Sequence, residues 1–129
     1  MNMGLKDMLG KLKEGAALTA KTTSRFNSSN FYGNVNRGMK GTDFWEGSYV
    51  NIENGNGVIY GSMQEDYIFT ASDIEKFELQ ENHKSEIGKG GAYYPAKRFF
   101  VTFKDGKFAQ MDLLADKVDS FKKAFNIED

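Results

Sequence analysis

One histidine, His83, and no cysteine anywhere in the chain leave little with which to build nucleophilic, acid-base or thiolate-metal chemistry. A Ser-His-Asp or Cys-His arrangement would depend on His83 alone, which stands between Asn82 and Lys84 in a polar stretch and reads as a solvated loop residue. Zinc sites built from several histidines or cysteines are excluded. Gly88-Lys89-Gly90-Gly91 has the glycine content of a phosphate-binding loop, but its lysine is not followed by Ser or Thr, and no helical pattern comes next. Glu75, Glu78, Glu81 and Glu86 collect acid without the Asp-x-Asp-x-Asp-Gly spacing of a calcium loop, so they read as a solvated face. No catalytic residue, metal ligand or cofactor is expected, and the chain is read as non-enzymatic.

The elements that would position any functional side chain are clearest near the C-terminus. Arg98 to Leu113 reads as two antiparallel strands about Asp105-Gly106, where Gly supplies the positive φ of a tight primed turn and Asp tolerates it. Phe99, Val101 and Phe103 alternate with Phe100, Thr102 and Lys104, giving the strand one apolar face. Leu114, Val118, Phe121 and Phe125 then recur at helical spacing, with Asp116 expected to cap the first turn, Asp119 near the positive end of the dipole and Lys122 and Lys123 near the other. Such a stripe must cover a sheet.

The 129 residues suit one domain, and 40% hydrophobic with 14% aromatic content can fill a core. A formal charge of −1 gives no global electrostatic case for nucleic acid. The lack of cysteine fits a reducing compartment. No apolar run reaches bilayer-spanning length and the first residues lack a secretory pattern, so a cytoplasmic location is expected.

Three regions follow from the pattern. Residues 1–21 carry Leu5, Met8, Leu9 and Leu12 at helical spacing among charges, an amphipathic helix interrupted by Gly4, Gly10 and Gly15. Residues 22–42 turn to Ser, Asn, Thr and Gly and read as a flexible connector, with docking through aromatics such as Phe26 and Phe31 and a short strand at Phe31 to Val35 as the rival readings. Residues 43–129 form the β domain. Within it Ser48 to Glu53 and Val58 to Met63 flank an Asn54-Gly55-Asn56-Gly57 turn, and Tyr67 to Phe69 and Ile74 to Leu79 read as further strands. Gln80 to Lys97 reads as a long polar loop holding the single proline, Pro95.

Paired strands, Ser72-Asp73-Ile74-Glu75-Lys76-Phe77-Glu78-Leu79, a long loop, the Phe99 to Leu113 hairpin and a terminal helix follow one another in an order that resembles the small bacterial pleckstrin-homology-like (PH-like) domains. The resemblance covers about Phe44 to Phe125. It implies a mainly β chain, α+β at its margins: a small antiparallel, partly open barrel closed by a C-terminal helix. Six strands are countable where that fold has seven, so one is expected near Phe31 to Val35 or Ala92 to Lys97. Lipid-binding members carry Lys and Arg in the first hairpin loop, whereas Glu53 to Gly57 has neither. A lipocalin-like carrier would want more strands.

The resemblance implies a binding or scaffold module, and fold alone does not name its partner. The first expectation is a protein-interaction module, self-association included, through Leu5, Met8, Leu9, Leu12, Trp45, Tyr93 and Tyr94. The second is a membrane-surface module in which Lys84, Lys89, Lys97 and Arg98 touch anionic lipid. A small-ligand carrier or an enzyme is the third. No nucleic-acid partner is expected.

Overall fold

The computed structural model describes residues 22–36, 44, 47–62, 64–81 and 84–128. Among the described residues a helical turn, α1 (residues 22–26), precedes eight strands. These are β1 (Phe31–Asn36), β2 (Ser48–Glu53), β3 (Asn56–Gly61), β4 (Gln64–Phe69), β5 (Ile74–Leu79), β6 (Ser85–Lys89), β7 (Ala92–Phe103) and β8 (Phe108–Leu114), followed by helix α2 (Val118–Ala124). The expected amphipathic helix over residues 1–21 lies outside the described residues.

All the strands pair antiparallel in the order β4-β3-β2-β1-β8-β7-β5, a curled half-barrel closed by α2. β7 is twelve residues long and holds two neighbours on one edge, β6 along its first half and β5 along its second. Pro95, which has no N–H to give, sits in β7 just before its pairing with β8 begins at Ala96. The stretch Gln80 to Lys97, read from its polarity as a loop, therefore contains β6 and the start of β7. Of the two places proposed for a missing strand, Phe31 to Val35 holds β1, whereas Ala92 to Lys97 is the first half of β7 and the further strand is β6. β1 falls within the segment read as a linker and lies inside the sheet, between β2 and β8.

Turn chemistry sets the registers. Asn54 and Gly55 take φ of 54° and 81° and close the β2–β3 hairpin. Gly57 is needed for a different reason: a Cβ there would lie inside the Phe69 ring. The last hairpin departs from expectation. Phe103 N–H bonds to Lys107 O at 2.9 Å, so the loop is the three residues Lys104, Asp105 and Gly106, with only Gly106 at positive φ. Asp105 instead accepts the Lys107 N–H at 2.9 Å and the Tyr67 hydroxyl at 2.6 Å. Those bonds hold its carboxyl below the usual carboxylate range.

Inside the half-barrel, Phe69, Phe99, Val101, Phe103, Met111 and Leu113 meet Val118, Phe121 and Phe125 of the closing segment. Phe121 is fully buried and stacks on Phe77 with ring centroids 5.6 Å apart. Burying Val118, Phe121 and Phe125 contributes about 1.5–3 kcal/mol for each before ordering costs, which makes α2 integral. Leu114 does not share that stripe. It ends β8 and points to the opposite face, a three-residue 3-10 turn (Ala115–Lys117) intervenes, and Asp116 makes no side-chain cap bond.

A second apolar cluster, Phe31, Ile87 and Ala96 with Phe26, Tyr49 and Leu114, sits on that other face. One irregularity allows β1 to serve both. A bulge between Phe31 and Gly33 turns Phe31 toward the second cluster, while Tyr32 and Val35 reach the first.

Candidate interaction surface

The β6–β7 hairpin turns on Gly90 and Gly91, whose φ values of 59° and 81° admit a two-residue primed turn. This conformation places Lys89 opposite Ala92, Gly88 opposite Tyr93 and Ile87 opposite Tyr94. Ile87 is buried in the second cluster and anchors the hairpin. Tyr93 and Tyr94 remain 77% and 46% exposed. The Gly88-Lys89-Gly90-Gly91 stretch is thus the end of a strand and its turn.

Beside the hairpin stands the segment leaving α1. Ser28 Oγ donates to Arg25 O at 2.9 Å and accepts the Asn30 N–H at 3.2 Å, which bends the chain from α1 into β1. Phe26 packs at 4.7 Å from the Phe31 ring and 5.0 Å from Tyr49. Arg25 fastens α1 to the sheet. Its Nε and Nη2 donate to Glu53 at 3.1 and 2.8 Å, its Nη1 to Asp66 at 3.0 Å, and its guanidinium lies 4.2 Å from the centre of the Tyr60 ring. Asn51 completes the group, donating to Arg25 O and Glu53 and accepting the Tyr60 hydroxyl at 2.7 Å. The Arg25 hydrogen bond holds Glu53 below the usual carboxylate range, and burial raises the Tyr60 hydroxyl.

The third wall is the junction from β8 to α2. Lys117 Nζ donates to Ser29 O at 2.9 Å and Phe31 O at 2.7 Å, tying this junction to the start of β1. Between the three walls opens a cleft of about 600 Å³, with Asn27 and Ser29 on one side, Lys89 and Tyr94 on another, and Asp116 and Lys117 on the third. Lys89 Nζ stands 4.7 Å from the Phe31 ring centre and 5.2 Å from that of Phe26, and it has no ion-pair partner among the described residues. Burial, and then the nearby Lys89 charge, lower the Lys117 ammonium below its ordinary value, against the pull of Asp116. A smaller cleft of about 300 Å³ lies between Phe26, Lys89 and Tyr93.

The expected site residues separate into three groups. Lys89, Tyr93 and Tyr94 come together on the hairpin. Lys84 and Lys97 are exposed at the open end of the hairpin, away from its turn, whereas Arg98 is committed elsewhere: its Nε and Nη2 donate to Asp112 at 2.7 and 3.0 Å, and Asn36 and Ser85 donate to the same carboxylate. Arg98 is therefore a strand-to-strand pairing residue whose guanidinium is engaged by Asp112. Leu5, Met8, Leu9, Leu12, Trp45 and His83 lie outside the described residues. Glu75, Glu78, Glu81 and Glu86 are exposed.

Arg25 and Lys117 were not singled out by sequence pattern. Their partners lie far along the chain, and only the aromatic interruptions of the Ser/Asn-rich segment hinted that it docks. Among the described residues no helix is long and apolar enough to cross a membrane, and no group of three His, Cys, Asp or Glu could hold a metal ion. No family model, curated protein or solved structure matches the chain.

Proposed function

We propose that the chain is a non-enzymatic, PH-like interaction module that binds a partner protein, a second copy of itself included, through the β6–β7 hairpin. The observation that carries this reading is the exposure of adjacent Tyr93 and Tyr94. Elsewhere among the described residues every Phe and Tyr side chain is at least partly covered, and the other exposed large apolar groups are the isolated Ile68 and Leu79. Tyrosine provides contact area with little rotamer entropy to lose and a hydroxyl that tolerates water in the unbound state, which is why it concentrates at binding surfaces. Ile87 and Ala96 fix the hairpin, so the two rings, one on each face of it, are presented on a rigid support. The cysteine-free composition fits the proposed cytoplasmic setting.

A membrane-surface reading draws on Lys84, Lys89 and Lys97 near the same hairpin. It loses Arg98 to Asp112, and three cations supply only about 1 kcal/mol each near an anionic surface.

Sedimentation of the full chain over a concentration series, with affinity capture from the native cell, tests the proposal against the Tyr93→Ser/Tyr94→Ser variant. The double variant is expected to fold, because both rings stand in solvent, and to lose self-association or the captured partner. Unchanged assembly and unchanged capture would overturn the hairpin as the contact surface.

A further inference from the structure

We infer that the cleft between the β6–β7 hairpin, the turn at Asn27–Ser29 and the β8–α2 junction is an oxyanion subsite, in which Lys89 and Lys117 receive a carboxylate or phosphate group carried by the protein partner. The inference deepens the proposed function and rests on it for the identity of the carrier.

Two observations support a built anion site over a chance pair of surface lysines. Lys117 is held in place by the carbonyl oxygens of Ser29 and Phe31, at 2.9 and 2.7 Å. An ammonium has three N–H donors, so one remains beyond the two carbonyls, with the Tyr32 ring centre 5.0 Å from Nζ. Lys89 is held above two aromatic faces, at 4.7 and 5.2 Å, on a strand end fixed by its glycine turn. Both cations line one cleft in which, among the described residues, the acidic wall residue is Asp116 alone. Charge balance within the cleft thus remains positive. The lowered Lys117 ammonium records what the cleft lacks: burial and a neighbouring cation both disfavour its charge, and an anion between the two lysines would offset both.

The geometry also gives the contact an order of events. Tyr94 belongs to the cleft wall and to the exposed tyrosine pair. Tyr93 and Tyr94 are consecutive in β7 and face opposite sides of the hairpin, so it is a partner segment lying over Tyr94 that passes across the cleft mouth. An acidic or phosphorylated side chain on that segment would reach the lysines without rearrangement of the sheet. Lysine binds such a group as a point charge, without the paired geometry that arginine imposes. Carboxylate and phosphate are thus both admitted, and phosphate binds more tightly through its greater charge.

The test is heteronuclear NMR of the full chain titrated with sodium phosphate and, separately, sodium acetate, at ionic strength held constant with sodium chloride. Saturable shifts are expected at Lys89, Gly90 and Lys117, complete by about 50 mM phosphate, as a millimolar site requires. Lys89→Gln should weaken phosphate binding about tenfold, the equivalent of ~1.4 kcal/mol. Lys104→Gln, in the distant β7–β8 loop, should leave it unchanged. Absence of saturable shifts, or an equal response in Lys89→Gln, overturns the subsite. Phosphatidylserine vesicles that shift the same resonances while no protein partner is lost in Lys89→Gln would overturn the protein carrier. Loss of a captured partner in the tyrosine variant without any anion response removes the subsite and leaves the hairpin reading standing. An anion response with no hairpin-dependent partner does the reverse.

Discussion

Removing either member of the Arg98–Asp112 pair should destabilise the fold, and the two losses should not add. Asp112 is 5% exposed and its carboxylate accepts two bonds from Arg98 and one each from Asn36 and Ser85. The Arg98 side chain is 21% exposed. Arg98→Ala leaves a nearly buried carboxylate with only neutral donors. The expected cost is about 4 kcal/mol, within the range for breaking a buried pair. In Asp112→Ala the orphaned guanidinium can turn to water, so about 3 kcal/mol is expected. With both residues removed no uncompensated charge remains, and the double variant should lie about 2 kcal/mol above the sum of the singles, a coupling typical of contacting residues. Urea unfolding at pH 7 reads these differences, provided the slope with denaturant is shared by all four chains. Additivity to within about 0.5 kcal/mol would refute the reasoning. It would return Arg98 to the pool of cations available for a surface contact.

Two further expectations follow from Gly57 and from Glu53. Gly57→Ala drives a methyl into the buried Phe69 ring and should cost about 2 kcal/mol by overpacking. Phe69→Leu placed in the same chain should recover part of that loss, and a Gly57→Ala chain as stable as the parent in urea would show that the ring does not rest on that glycine. Glu53 is held below its ordinary 4.5 first by the Arg25 hydrogen bond and then by Asn51, against burial and Asp66. Its contribution to stability is therefore present above 4.5 and is lost as pH falls through the lower folded value. Glu53→Gln should be less stable at pH 7 and show a shallower decline on acidification below 4.5; melting curves that fall in parallel with the parent would contradict the assignment.

The parts of the fold legible in the sequence were those with one wet face and one dry face. β7 alternates Phe99, Val101 and Phe103 inward, and the closing segment carries Phe121 in α2 and Phe125 just past its end at helical spacing, so periodicity alone places both. β1 hides because its bulge sends Phe31 and Val35, which strict alternation would put on one face, to different clusters, and because Asn34 and Asn36, poor strand formers, are held by neighbouring strands, Asn34 by β2 and β8 and Asn36 by β8. β6 hides because Glu86 and Gly88 face solvent on an edge strand with a single buried apolar residue, Ile87. The hairpin at Asp105-Gly106 was legible as a turn but not in register. A two-residue turn would pair Lys104 with Lys107 and set Arg98 opposite Leu113, whereas the three-residue loop sets it opposite Asp112. Of the candidate surface, Lys89, Tyr93 and Tyr94 could be named from chemistry alone. Lys117 could not, because its placement depends on two carbonyls at the far end of the chain.

The position of β1 between β2 and β8 bears on how the chain comes to be folded during synthesis. The meander from β1 to β4 can assemble as soon as its own residues are made, since each of its neighbours is also a neighbour in sequence. At that stage β1 presents an open edge, whose partner β8 is translated only after β5, β6 and β7. Contacts that close over such a distance are slow to form, and an unpaired edge in the interval invites pairing with another chain. The residues that make β1 hard to recognise are also those that protect it then. Its polar asparagines and bulged, irregular start make a poor template for edge-to-edge growth. Nascent chains halted before β8 should therefore expose β1 to rapid amide hydrogen exchange, and release of the last strand should protect it in one step.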